Sequence, residues 1–146
     1  MKNKHLILCV RVLDETGDKD YDESYAYDNA DPNEELRVEV TQIRINYPMG
    51  NECMVPFTGP VTRRKLVEAV KAAYARIYAE EDAAVGPAPR VSGACANRAP
   101  TKGPWGIWGH DIDDLYIEGF TFRAGVAQPL AGTFRRHALR LPTRFG

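Results

Sequence analysis

Residues 62–86 read TRRKLVEAVKAAYARIYAEEDAAVG, and this stretch decides the fold. Leu66, Val67, Val70, Ala73, Tyr74 and Ile77 recur at steps of three and four, while Arg64, Lys65, Glu68, Lys71 and Arg76 take the other side. That period predicts an amphipathic helix with one apolar stripe. Thr62 or Thr58 can cap its start, Pro60 suits the entry into its first turn, and Gly86 followed by Pro87 prevents continuation. Arg76 and Glu80 stand four apart, the spacing of a helical ion pair. Glu80, Glu81 and Asp82 oppose the helix dipole, which favours cations at a C-terminus.

The remaining apolar pattern has the period of strands. Leu6, Leu8, Val10 and Val12 alternate with His5, Ile7, Cys9 and Arg11, which predicts a first strand with one clearly apolar side. Leu36, Val38 and Val40 start a second alternation whose phase changes to Ile43, Ile45 and Tyr47, so a bulge or bend is expected near Thr41 and Gln42. Pro48, Gly50 and Asn51 supply a turn, and Cys53 to Phe57 return as another strand. Within Gly103 to Gly125, Leu115 and Ile117 fall out of phase with Phe120 and Phe122 unless Gly119 sits at a bulge. Leu130, Phe134, His137, Ala138 and Leu141 fit a helical stripe, whereas Thr133 to Leu141 also fit an edge strand; the pattern leaves both open.

These elements amount to a single α+β domain over residues 1–146: a small twisted, mostly antiparallel sheet of about four strands with one long amphipathic helix packed on one face. Three segments lie outside the pattern. Residues 14–35 form a long acidic loop with too little apolar surface to pack as a core element; residues 83–104, rich in Pro, Ala and Gly, are a mobile or functional connection; residues 133–146 are basic. A helix of about 22 residues is roughly 33 Å long and covers only one side of such a sheet. On the first strand the second side carries His5, Ile7, Cys9, Arg11 and Leu13, too apolar to be simply solvated, so loops, the terminal segment or another subunit must cover it.

Composition narrows the function classes. The chain has 146 residues, 44% of them apolar and 27% charged, and a net charge of -1. A disordered tail is excluded, and a general nucleic-acid coat is disfavoured because it needs a surplus of Lys and Arg. The balance is uneven: -6 over residues 1–58, +2 over 59–90 and +3 over 91–146. Cys9, Cys53 and Cys95 are odd in number and far apart, which suits free thiols in a reducing compartment rather than a disulfide framework or a cysteine zinc site. Lys2 and Lys4 precede an apolar run that Arg11 cuts short of a signal-peptide core, and no window is long enough to span a bilayer. A protein that is cytoplasmic or otherwise intracellular, without membrane contact or cofactor, is expected.

Four groups of residues invite chemistry, each with a plainer alternative. Trp105 and Trp108 in GPWGIWG could form a stacking platform, or could fill space between helix and sheet. His110 with Asp111, Asp113 and Asp114 offers acid/base or metal-binding groups, or a turn capped by aspartates. Asp20, Asp22, Ser24, Asp28 and Asp31 fall on a calcium-loop frame, but Tyr25 stands where glycine is required and Asp31 where a bidentate Glu belongs, so no metal site is expected. Arg135, Arg136 and Arg140, with His137 and Arg144, could grip phosphates or pair with the acidic loop. Cys95 reads as exposed and lacks a base that the sequence can place beside it.

With few groups for an active site and a half-covered sheet, the leading expectation is a binding or self-association module acting through protein contacts, as a homo-oligomer or with a protein partner. Behind it stands nucleic-acid binding by the C-terminal arginines with Trp105 and Trp108. A small enzyme built on His110 and its neighbouring aspartates is the third expectation.

Overall fold

Helix α1 spans Arg63–Val85 in the computed structural model, which describes residues 5–13, 26–93 and 95–133. Of the two candidate caps it uses Thr62, whose Oγ1 accepts the Lys65 N–H at 3.1 Å; Gly86 closes it at φ 83°, donating its N–H to the Asp82 carbonyl. Leu66, Val67, Val70, Ala73, Tyr74 and Ile77 are all buried, as their spacing requires. Arg76 and Glu80 form a solvent-exposed pair at 3.9 Å, worth at most a few tenths of a kcal/mol, about 0.3–0.5.

Among the described residues five strands form one sheet: β1 (His5–Arg11), β2 (Gln42–Ile45), β3 (Cys53–Pro56), β4 (Leu115–Arg123) and β5 (Val126–Thr133), in the order β1-β4-β5-β2-β3. All neighbours are antiparallel except β2 and β5, which run parallel over only two residue pairs, Gln42 with Val126 and Ile43 with Ala127. Leu6, Leu8 and Val10 of β1, Ile43 and Ile45 of β2, and Leu115, Ile117, Phe120 and Phe122 of β4 join the helix stripe in a single core. The fold is α+β, with one more strand than the pattern of the sequence suggests.

Two strand expectations are corrected, and the bend expected near Thr41 is present. Leu36 to Val40 do not enter the ladder: Leu36 N–H bonds instead to the Val61 carbonyl, and the chain joins the sheet only at Gln42. The phase change near Thr41 marks that entry, where the N–H groups of Thr41 and Gln42 both donate to the Gly125 carbonyl. Leu130, which the helical-stripe reading included, belongs instead to β5, an interior strand that ends at Thr133. Interior Pro129 is tolerated because β2 pairs only with Val126 and Ala127, so no ladder partner waits for its missing N–H. Residues 134–141, on which the other half of that choice falls, lie outside the described residues.

The acidic segment is also more structured at its end than its composition implies. Ala26 and Tyr27 are buried in the core, and the Arg64 guanidinium lies 5.8 Å from the centre of the Tyr27 ring. One aromatic side chain supplies apolar area that a count of acids conceals.

Gly119 behaves as its phase predicts. The register of β4 against β5 shifts between Ile117 and Gly119, which places Phe120 and Phe122 back on the core side. A Cβ at Gly119 would lie 2.1 Å from the Leu6 carbonyl oxygen, so the bulge draws β1 and β4 closer than any side chain permits.

Candidate functional site

The irregular chain between α1 and β4 has no apolar period, yet it is held tightly by the C-terminal half of the helix. Glu81 is fully buried there, at 0% exposure. Its Oε2 accepts from Thr101 Oγ1 at 2.6 Å, Gly103 N at 2.9 Å and Ile107 N at 3.4 Å; its Oε1 accepts from Trp105 N at 2.8 Å and Gly106 N at 3.3 Å. Burial pushes this carboxyl up, but hydrogen bonds from Thr101, Trp105, Gly103 and Ile107 outweigh it and hold it down at about 2. The carboxylate therefore folds the GPWGIWG segment around itself. Gly103 is needed, because a Cβ would come within 2.6 Å of the Glu81 carboxyl carbon.

Arginine organises the next layer. Arg98, 3% exposed, donates to Asp111 Oδ1 at 3.2 Å and Asp82 Oδ1 at 3.4 Å and lies over the Tyr78 ring. Arg90 reaches Asp111 at 3.0 Å and Asp113 at 3.1 Å, and Asn97 Oδ1 accepts the Asp111 N–H. The acids at the helix end thus meet donors that arrive from the loop, a partnership the dipole argument cannot show. Of residues 83–104, expected to be a mobile or functional connection, 83–85 complete α1 and the rest is tied down at Arg90, Asn97, Arg98, Thr101 and Gly103.

His110 and Asp114 form a buried pair, with Nδ1 2.8 Å from Asp114 Oδ2. The Tyr78 hydroxyl donates to the His110 carbonyl at 2.7 Å. Asp111 caps a single 3-10 turn, Ile112–Asp114, by accepting the Ile112 N–H. The four groups at 110–114 therefore split: His110 pairs with Asp114 inside, while Asp111 and Asp113 face arginines. One cavity is lined by Arg37, Val38, Glu39 and Phe122 to Gly125 and another by Ile7, Leu8, Cys9, Asp28 and Asn29; His110 lines neither of these. No group of three or more His, Cys, Asp or Glu able to hold a metal occurs among the described residues.

The two indoles differ. Trp105 is half-buried against the core, and its Nε1 donates to Glu80 Oε1 at 3.0 Å. Trp108 is 45% exposed and meets Tyr47 edge to face at 5.4 Å, with the His110 ring 6.1 Å away. Arg135, Arg136 and Arg140 lie outside the described residues, as do Asp20, Asp22 and Ser24. Cys95 is exposed, Cys53 is buried and Cys9 lies between. Among the described residues, no helix is long and apolar enough to cross a membrane.

The outer side of the sheet presents residues in rows, since partners in a ladder share a face. His5, Thr121 and Gln128 form one row, and Arg11, Tyr116 and Gly132 another. Between them run Ile7, Gly119 and Leu130. Ile7 is 63% exposed and Leu130 36%, whereas Tyr116 is buried. One end of the face is thus covered and the other open. Sequence reasoning placed Ile7 on this side but missed Leu130, because the hairpin turn at Ala124 and Gly125 lacks the Asn-Gly signal that would have announced β5.

Compared with protein-family models, with curated proteins and with solved structures, this chain finds no match in any of the three.

Proposed function

We propose that this chain is a self-association module whose partner is a second copy, joined through the open end of the outer sheet face. The observation that carries the reading is the row of Ile7, Gly119 and Leu130, two exposed aliphatic side chains on either side of a position with no side chain. Such a row is self-complementary: a two-fold arrangement lays Ile7 and Leu130 of one copy against those of the other. His5, Thr121 and Gln128 supply a polar rim beside it. A net charge of -1 sets little repulsion between copies. Polar groups elsewhere, including His110 and Arg98, are spent on the chain's own loop, which favours binding over catalysis.

The test is light scattering on the wild type and on a double variant, Ile7→Asp with Leu130→Asp. Both positions are exposed, so the variant keeps its core. The mass of the wild type should rise to that of a dimer as concentration increases, while the variant stays at the mass of one chain. Met54→Asp, on the opposite sheet edge, should leave association unchanged. A wild type that remains monomeric to its solubility limit, or a double variant that dimerises like it, overturns the reading.

A further inference from the structure

We infer a second binding site, for a small organic anion, in the cavity at the tip of the β4–β5 hairpin. This cavity, of about 280 Å³, lies between the segment Arg37 to Glu39 and the turn at Ala124 and Gly125, with Phe122 and Arg123 completing its wall. Two arginine residues, Arg37 and Arg123, are among those that line it. Neither Arg37 nor Arg123 has an ion pair or hydrogen bond among the described residues. Arg63, Arg76, Arg90 and Arg98, by contrast, all meet carboxylates. Planar guanidinium forks match the oxygens of a carboxylate or phosphate, and two of them around one concavity favour an anion there.

The backbone fixes one wall of the cavity. Ala124 and Gly125 both have positive φ, 51° and 79°, as a two-residue hairpin loop between Arg123 and Val126 requires, at some cost for alanine. The turn is held rigidly because Thr41 N–H and Gln42 N–H both donate to the Gly125 carbonyl. Val38 and Phe122 give the cavity an apolar wall for a carbon skeleton, and the Glu39 carboxylate can accept from a hydroxyl or amine. The ligand class is therefore a compact anion that also carries a hydrogen-bond donor, such as a hydroxy acid or a polyol phosphate.

The experiment follows backbone amide signals by NMR while inorganic phosphate, glycerol phosphate or lactate is titrated into the full chain. Saturable shifts confined to residues 37–39 and 122–126 are expected, with glycerol phosphate or lactate binding more tightly than inorganic phosphate. In Arg37→Gln with Arg123→Gln the affinity should fall at least about tenfold while signals elsewhere stay in place. Shifts that fail to saturate, that scatter over the surface, or that persist unchanged in the double variant overturn the assignment. These outcomes are separable from the association test, since the cavity residues are not the open row.

Discussion

Replacing Glu81 with glutamine tests how the irregular loop is held. The side chain keeps its size, but one oxygen becomes an NH2 group that faces donors in either orientation: Thr101, Gly103 and Ile107 on one side, Trp105 and Gly106 on the other. The magnitude follows from the depressed ionisation of the carboxyl. A fall from 4.5 to about 2 corresponds to roughly 3 kcal/mol of stability, at about 1.4 kcal/mol per pH unit. Because the folded value lies below the unfolded one, this stability is fully present above about pH 4.5 and is lost as pH falls through about 2. Urea unfolding followed by circular dichroism at pH 7 should show Glu81→Gln less stable by about 3 kcal/mol, a large share of the usual 5–15 kcal/mol. Repeated at falling pH, the gap should narrow, since the protonated wild type loses its charge as the variant already has. A gap below about 1 kcal/mol at neutral pH, or one independent of pH down to 2.5, would refute the reasoning.

Two further substitutions probe the backbone. Gly119→Ala should destabilise by about 2–3 kcal/mol in the same urea assay, because its methyl group must displace the Leu6 carbonyl and with it β1; an unchanged midpoint would show that the bulge relaxes freely. Ala124→Gly should stabilise by roughly 0.5–1 kcal/mol: relief of the left-handed conformation gives about 1–2, and the greater freedom of glycine in the unfolded chain removes about 0.4–1. A loss of stability there would contradict the strain assigned to the turn.

How far the sequence carried the fold depends on where apolar periodicity exists. The helix was legible from its stripe and from Gly86 at its end, while the sequence left its N-cap open between Thr58 and Thr62. The bulge at Gly119 was legible from a change of phase alone. Strand β5 was not: its Pro129 argues against an interior strand, and only the short pairing with β2 makes that proline harmless. The site region was the least legible. Glu80, Glu81 and Asp82 looked misplaced against the dipole, and the partners that explain Glu81 and Asp82, Arg98 and the N–H groups of residues 103–107, come from a loop whose path has no periodic signal. Acids out of place at a helix end, followed by a glycine-rich segment able to offer free N–H groups, are the clue that was present. The outer face was half legible, since Ile7 follows from β1 while its neighbour Leu130 requires the register of two hairpin strands.

The most direct measurement of the proposed association is an isotope-filtered NOE experiment on an equal mixture of methyl-labelled and unlabelled chains. Cross-peaks between the Ile7 and Leu130 methyl groups of one copy and those of the other are the result expected at high concentration. Their absence in a sample that sediments as a dimer, or intermolecular peaks from methyl groups elsewhere on the chain, would contradict it.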